Sequence, residues 1–138
     1  MAFEIEKDWI TNAGLRAVVL VVINNMGEKY GSYKSHRCGY VGVPKEHPAF
    51  DKGYDDMDID CHGGLTFSSS GDKYPVESDL HWFGFDCHHY LDKQIEPNPA
   101  LPLAFAEEGE VRSLDYCIAE CESIANQLMH KGESDGTD

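Results

Sequence analysis

The sequence predicts an α+β domain in which an antiparallel sheet of about four strands is packed by a C-terminal helix. Three observations carry that reading. A Val- and Leu-rich run at 15–23 has the composition of a buried strand. Three later stretches, at 35–43, 56–68 and 81–87, are bounded by Gly, Pro or Asn and read as further strands. One stripe of apolar residues at helical spacing, Leu114, Cys117, Ile118, Cys121, Ala125 and Leu128, lies near the C-terminus. Strands followed by one amphipathic helix bury their apolar faces most simply as helix on sheet.

The elements follow in order. The first twelve residues have no settled period, and 8–12 is readable as a short helical turn. After the strand at 15–23, Asn24, Asn25 and Gly27 mark a turn, and the strand at 35–43 pairs antiparallel with its predecessor. Pro44 and Pro48 bracket a loop. From 56 to 68, Met57 and Ile59 alternate with Asp56, Asp58 and Asp60, as on a strand with one wet face. Gly63 and Gly64 interrupt it with a bulge or a close backbone approach. A polar loop at 68–71 precedes the aromatic strand at 81–87, and Pro97, Pro99 and Pro102 make the next segment irregular. The helix is expected over 113–130, N-capped by Ser113 and ended by Gly132. The chain of 138 residues fits one domain at 1–132, with a flexible polar tail at 133–138.

Composition narrows the function. Twenty-five acidic residues against eleven Lys and Arg give a formal net charge of −14. Such a surface repels phosphate backbones and anionic membranes, which argues against direct nucleic-acid and membrane binding. It suits a basic protein partner. Glu4, Glu6 and Asp8 stand where a signal peptide would be positive, and the run 17–23 is too short to span a bilayer. The expected location is the cytoplasm, where five cysteines are core residues, nucleophiles or metal ligands rather than disulfides.

The Cys and His residues fall in three groups: His36 with Cys38, Cys61 with His62, and Cys87 with His88 and His89. Residues two apart on a strand share a face, so His36 with Cys38, and Cys87 with His89, can each serve one site. Zinc takes about four N or S ligands in a tetrahedron. The preferred set is Cys38, His62, Cys87 and His89, binding Zn2+, with His36, Cys61 and His88 as substitutes. Buried thiols with surface histidines are the competing reading. Cys117 and Cys121 lie in the helix stripe and read as core. Trp82, Phe83, Gly84 and Phe85 beside the cluster are core aromatics or a pocket wall.

Other chemistry is largely excluded. An EF-hand loop starting at Asp56 would place Cys61 where Gly is needed and Phe67 where Glu is needed. Phosphate-loop, dinucleotide, HExxH and GxSxG signatures are absent. A Cys–His dyad through Cys87 or Cys38 stays open. So does a metal-dependent hydrolase acting on a nucleotide or other small molecule, with Asp86 or Asp92 as base.

The runs HRCGYVGVP at 36–44, HGGLT at 62–66 and WFGFDC at 82–87, with His89 and Asp92, resemble a family of small uncharacterised bacteriophage and prophage proteins. His88 stands where that resemblance would place a small residue, so no role carries onto it. In size, charge and apparent metal ligands the chain is also similar to zinc-containing type II anti-CRISPR proteins of streptococcal prophages. The resemblance implies a host-defence inhibitor that binds Cas9 and blocks DNA loading or cleavage, with a structural zinc. No catalytic residue is implied.

Overall fold

A computed structural model describes residues 2–70, 73–100 and 109–134. It shows an α+β fold, with one antiparallel sheet of five strands and one long helix. The strands are β1 (Ala2–Ile10), β2 (Arg16–Asn25), β3 (Ser32–Val43), β4 (Phe67–Ser69) and β5 (His81–Asp86), and the helix is α1 (Leu114–Ser134). The spatial order is β1-β2-β3-β5-β4. Hydrophobicity explains the centre: residues 17–22 of β2 are all buried, as in a strand covered on both faces.

One face of the sheet meets α1. Ala17, Val19, Val41, Val43, Phe83 and Phe85 pack there against Cys117, Cys121, Ile124, Ala125 and Leu128. Gly39 on β3 permits the contact, since a Cβ there would lie 2.4 Å from the Phe85 ring and 2.9 Å from Cys121 Sγ. The other face carries Val18, Leu20, Val22, Cys38, Tyr40 and Trp82 under Phe67, Tyr74, Val76 and Leu80. The helix stripe and the placing of Cys117 and Cys121 in the core are as expected. So are the aromatics of β5: Trp82, Phe83 and Phe85 are fully enclosed, not a pocket wall.

Three expectations need correction. Residues 8–12 are not a helical turn: 8–10 end β1, which pairs with β2 along its length with a bulge between Ile5 and Lys7, and Thr11 and Asn12 enter the turn to β2. Residues 56–68 are not one strand. Tyr54–Asp56 is a single 3-10 turn, and only Phe67–Ser69 joins the sheet. Between them Met57 and Ile59 do face the core. The backbone finds helix side chains in place of a ladder: Asp60 N–H donates to Gln127 Oε1 (2.8 Å) and His62 N–H to Glu120 Oε1 (2.6 Å). Finally, α1 continues through Gly132 to Ser134, although Ser113 caps its start by accepting from Tyr116 N–H at 3.1 Å. The expected irregularity at Pro102 and the last four residues of the expected tail lie outside the described residues, as does Gly71 at the end of the polar loop.

Candidate functional site

The polar centre of the molecule lies where β5 ends and α1 begins. Beyond β5 the chain turns, and the buried Asp92 carboxylate becomes a hub. It accepts Arg112 Nε–H at 2.8 Å, His62 Nε2–H at 2.8–2.9 Å and the His89 backbone N–H at 3.0 Å. Burial works to raise the Asp92 pKa, but the Arg112 and His62 hydrogen bonds outweigh it and hold the carboxyl below its ordinary value. Backbone bonds complete the join: Lys93 N–H donates to Glu110 O and Glu110 N–H to Leu91 O. Arg37 on β3 adds a third tie, donating to Arg112 O (2.8 Å) and to the Glu6 carboxylate (2.6 and 3.2 Å).

His62 is spoken for at both ring nitrogens. Nδ1 stands 2.8 Å from Tyr116 Oη, and in the tautomer that carries its proton on Nε2 and donates it to Asp92, Nδ1 is the acceptor for the Tyr116 O–H. Arg112 and His62 flank the Tyr116 ring, with the guanidinium 5.5 Å from its centroid. Burial and the nearby Glu120 carboxylate raise the Tyr116 phenol pKa. The result is a line of three groups, Asp92, His62 and Tyr116, in which an acceptor carboxylate orients an imidazole that faces a hydroxyl.

The Gly63 backbone, at φ +67°, lies against the Cδ2–Nε2 edge of the His89 ring; a Cβ there would sit 2.4 Å from Cδ2 and 2.5 Å from Nε2. His89 Nε2 is 3.1 Å from Asp86 Oδ1, yet its direction makes no hydrogen bond and the atom is shielded from solvent without a partner. Asp86 also accepts from Thr66 Oγ1 and from the His88 N–H, both at 3.1 Å. His36 stacks on His88 with centroids 4.5 Å apart and planes 15° apart. Burial and the neighbouring His88 lower the His36 pKa.

The four preferred zinc ligands are not gathered into one set. Cys38 is paired with Asp86 across β3 and β5, so its thiol lies on the face away from α1. Cys87, one residue on, lies on the α1 face, with its Sγ 3.6 Å from Cys117 Sγ. A zinc ion about 2.3 Å from both sulfurs would have to sit within the sheet itself. His62 has both nitrogens committed, and only His89 offers a free ring nitrogen. Among the described residues, no three His, Cys, Asp or Glu side chains already converge as an ion would require. Burial pushes the Cys38 thiol up to about 12, and burial with Glu120 and Asp60 does the same for Cys61. The Cys117 contact and burial raise Cys87 as well. These thiols are protonated at neutral pH and are poor nucleophiles for the open Cys–His dyad.

The sequence reading missed Arg112 and Tyr116. Their signal is weak, because Tyr116 falls beside the apolar stripe and Arg112 precedes the cap. It also missed the facing of His36 and His88, which follows only from the β3/β5 register.

Comparison with family models, curated proteins and solved structures gives no match to this chain. Among the described residues, no helix is long and apolar enough to cross a membrane.

Proposed function

We propose that the protein is an acidic inhibitor that occupies a basic, nucleic-acid-binding surface of a partner protein, and that an RNA-guided nuclease of the Cas9 type is the partner to test first. The supporting observation is the disposition of charge. Asp51, Asp55, Asp56, Asp58 and Asp60 are all exposed on one ten-residue segment, and the bonds of Asp60 to Gln127 hold that segment against α1. α1 adds the exposed Asp115, while the half-buried Glu120 accepts from the His62 N–H beside the segment and Glu122 is used on the other flank by Trp9 and Asn12. A fixed acidic face of this kind competes with a phosphate backbone for a positive channel, and steers the encounter. The test is DNA cleavage by guide-loaded Cas9 with increasing protein, at two salt concentrations. Inhibition that weakens with salt, and is lost when Asp55, Asp56 and Asp60 are changed together to Asn, supports the proposal. Cleavage that continues unchanged in large excess refutes it.

The Asp92–His62–Tyr116 line favours a second reading, an acid–base site of a small hydrolase. Tyr116 with its raised pKa would be the proton donor, and a screen of phosphate and carboxylate esters distinguishes the two. Hydrolysis that is lost in Tyr116→Phe, with the fold retained, favours the enzyme.

A further inference from the structure

Two-residue alternation puts His36 and Cys38 on one face of β3. The β3/β5 register sets Cys38 against Asp86, and the bond from Cys87 N–H to Arg37 O (2.9 Å) extends it beyond β5. One more step sets His36 against His88, whose rings stack. Asp86, His36 and His88 therefore share the sheet face away from α1, at the sheet's end. His89 joins them from the turn, with its Nε2 3.1 Å from Asp86 Oδ1 and no hydrogen bond made.

That N···O separation is informative. Two ligands about 2.0–2.1 Å from one tetrahedral ion stand about 3.3 Å apart, close to the distance observed here. A buried imidazole nitrogen beside a carboxylate normally makes the hydrogen bond; here the two atoms stand 3.1 Å apart without hydrogen-bond geometry. His36 is also prepared for ligation. Its Nδ1 is tied to Ser35 Oγ at 2.8 Å, which fixes the ring and leaves Nε2 uncommitted. His88 is exposed and free to swing. We propose that His89 and Asp86 form the fixed half of a binding site for a divalent transition metal ion such as Zn2+, completed by His36 and His88 when their stack opens. The site differs from the thiol-containing set expected from sequence: it takes nitrogen and oxygen donors and leaves every cysteine out. It stands independently of the acidic-face reading.

The experiment uses the full chain without an affinity tag, stripped by chelator and titrated with Zn2+ by calorimetry and with Co2+ by absorption. The expected result is one ion per chain, with tetrahedral Co2+ bands in the visible and no thiolate-to-metal band in the near ultraviolet. His88→Ala and His89→Ala should each weaken binding at least tenfold. Cys87→Ser and His130→Gln should bind as wild type. His88 is exposed, so its variant keeps the test open if His89→Ala does not fold, and circular dichroism of each metal-free variant checks the fold. Absence of saturable binding overturns the proposal. So does undiminished affinity in His88→Ala, or a thiolate band that disappears in Cys87→Ser.

Discussion

Replacing Asp92 by Ala removes the acceptor shared by Arg112, His62 and the His89 backbone. The Asp92 side chain is 1% exposed, while His62 and Arg112 keep 12% and 21%. Breaking a buried pair by deleting one partner costs about 3–5 kcal/mol. Arg112 can turn partly to water, which points to the lower end, about 3 kcal/mol. For a chain of this size that corresponds to a fall in Tm of about 10 °C. Urea unfolding followed by the fluorescence of Trp9 and Trp82 measures it directly, and the midpoint should shift with no change in slope. The pH dependence supplies a second arm. The folded-state pKa of Asp92 is depressed, so its contribution is present above the unfolded value of about 4 and lost as pH falls through the folded value. The gap between wild type and Asp92→Ala should be full at pH 7 and shrink below pH 4. A loss under about 1 kcal/mol at pH 7, or a gap that widens in acid, would refute the hub.

Three further outcomes follow from the same geometry. Gly39→Ala drives a methyl into the Phe85 ring between sheet and helix, and should cost about 1–3 kcal/mol as overpacking; a neutral result in urea would mean the interface yields. Cys61, with its thiol pushed up to about 12, should alkylate with iodoacetamide about a thousandfold more slowly at pH 8 than in the urea-unfolded chain, and faster by about tenfold for each pH unit; equal rates folded and unfolded would contradict the burial. Gln127→Ala frees both ends of its bond pair with Asp60, so limited proteolysis should cut first within residues 51–61, and an unchanged digestion pattern would show that the segment is held otherwise.

What the sequence disclosed, and what it hid, divides along local and non-local lines. β2 was legible because a run of Val and Leu buried on both faces has few alternatives. The helix stripe was legible for the same reason. β1 was not, because an edge strand with most of its residues exposed has a mixed pattern that only β2 makes sense of. Residues 57–66 misled, because alternation records which side chains face the core and not what satisfies the backbone. Here that partner is Gln127 and Glu120 of a helix about sixty residues away. Gly132 reads as a helix stop by propensity, yet α1 runs past it to Ser134. At the candidate site the parity argument held for His36 and Cys38, which share β3. It failed for Cys87 and His89, because β5 ends at Asp86 and the chain turns before His89. Whether Cys38 faced Cys87 depended on a register in which Asp86 is its partner, and no short-range pattern encodes that.

The charge distribution ties the fold to the proposed function. Among the described residues, four of the basic side chains are held in ion pairs, three of them with β1. Arg16 pairs with Asp8, Lys34 with Glu4 and Arg37 with Glu6, all acids of β1, and Arg112 is taken by the Asp92 hub. The edge strand thus neutralises itself against its neighbours in the sheet. Residues 51–60 carry five aspartates and one lysine, and the Asp60 backbone is tied to α1 through Gln127. An excess of negative charge spread evenly would serve solubility alone. Concentrating it on a segment pinned to the helix, while three cations are paired with the acids of β1, produces a field with direction. A directed field is what electrostatic steering toward a basic channel requires.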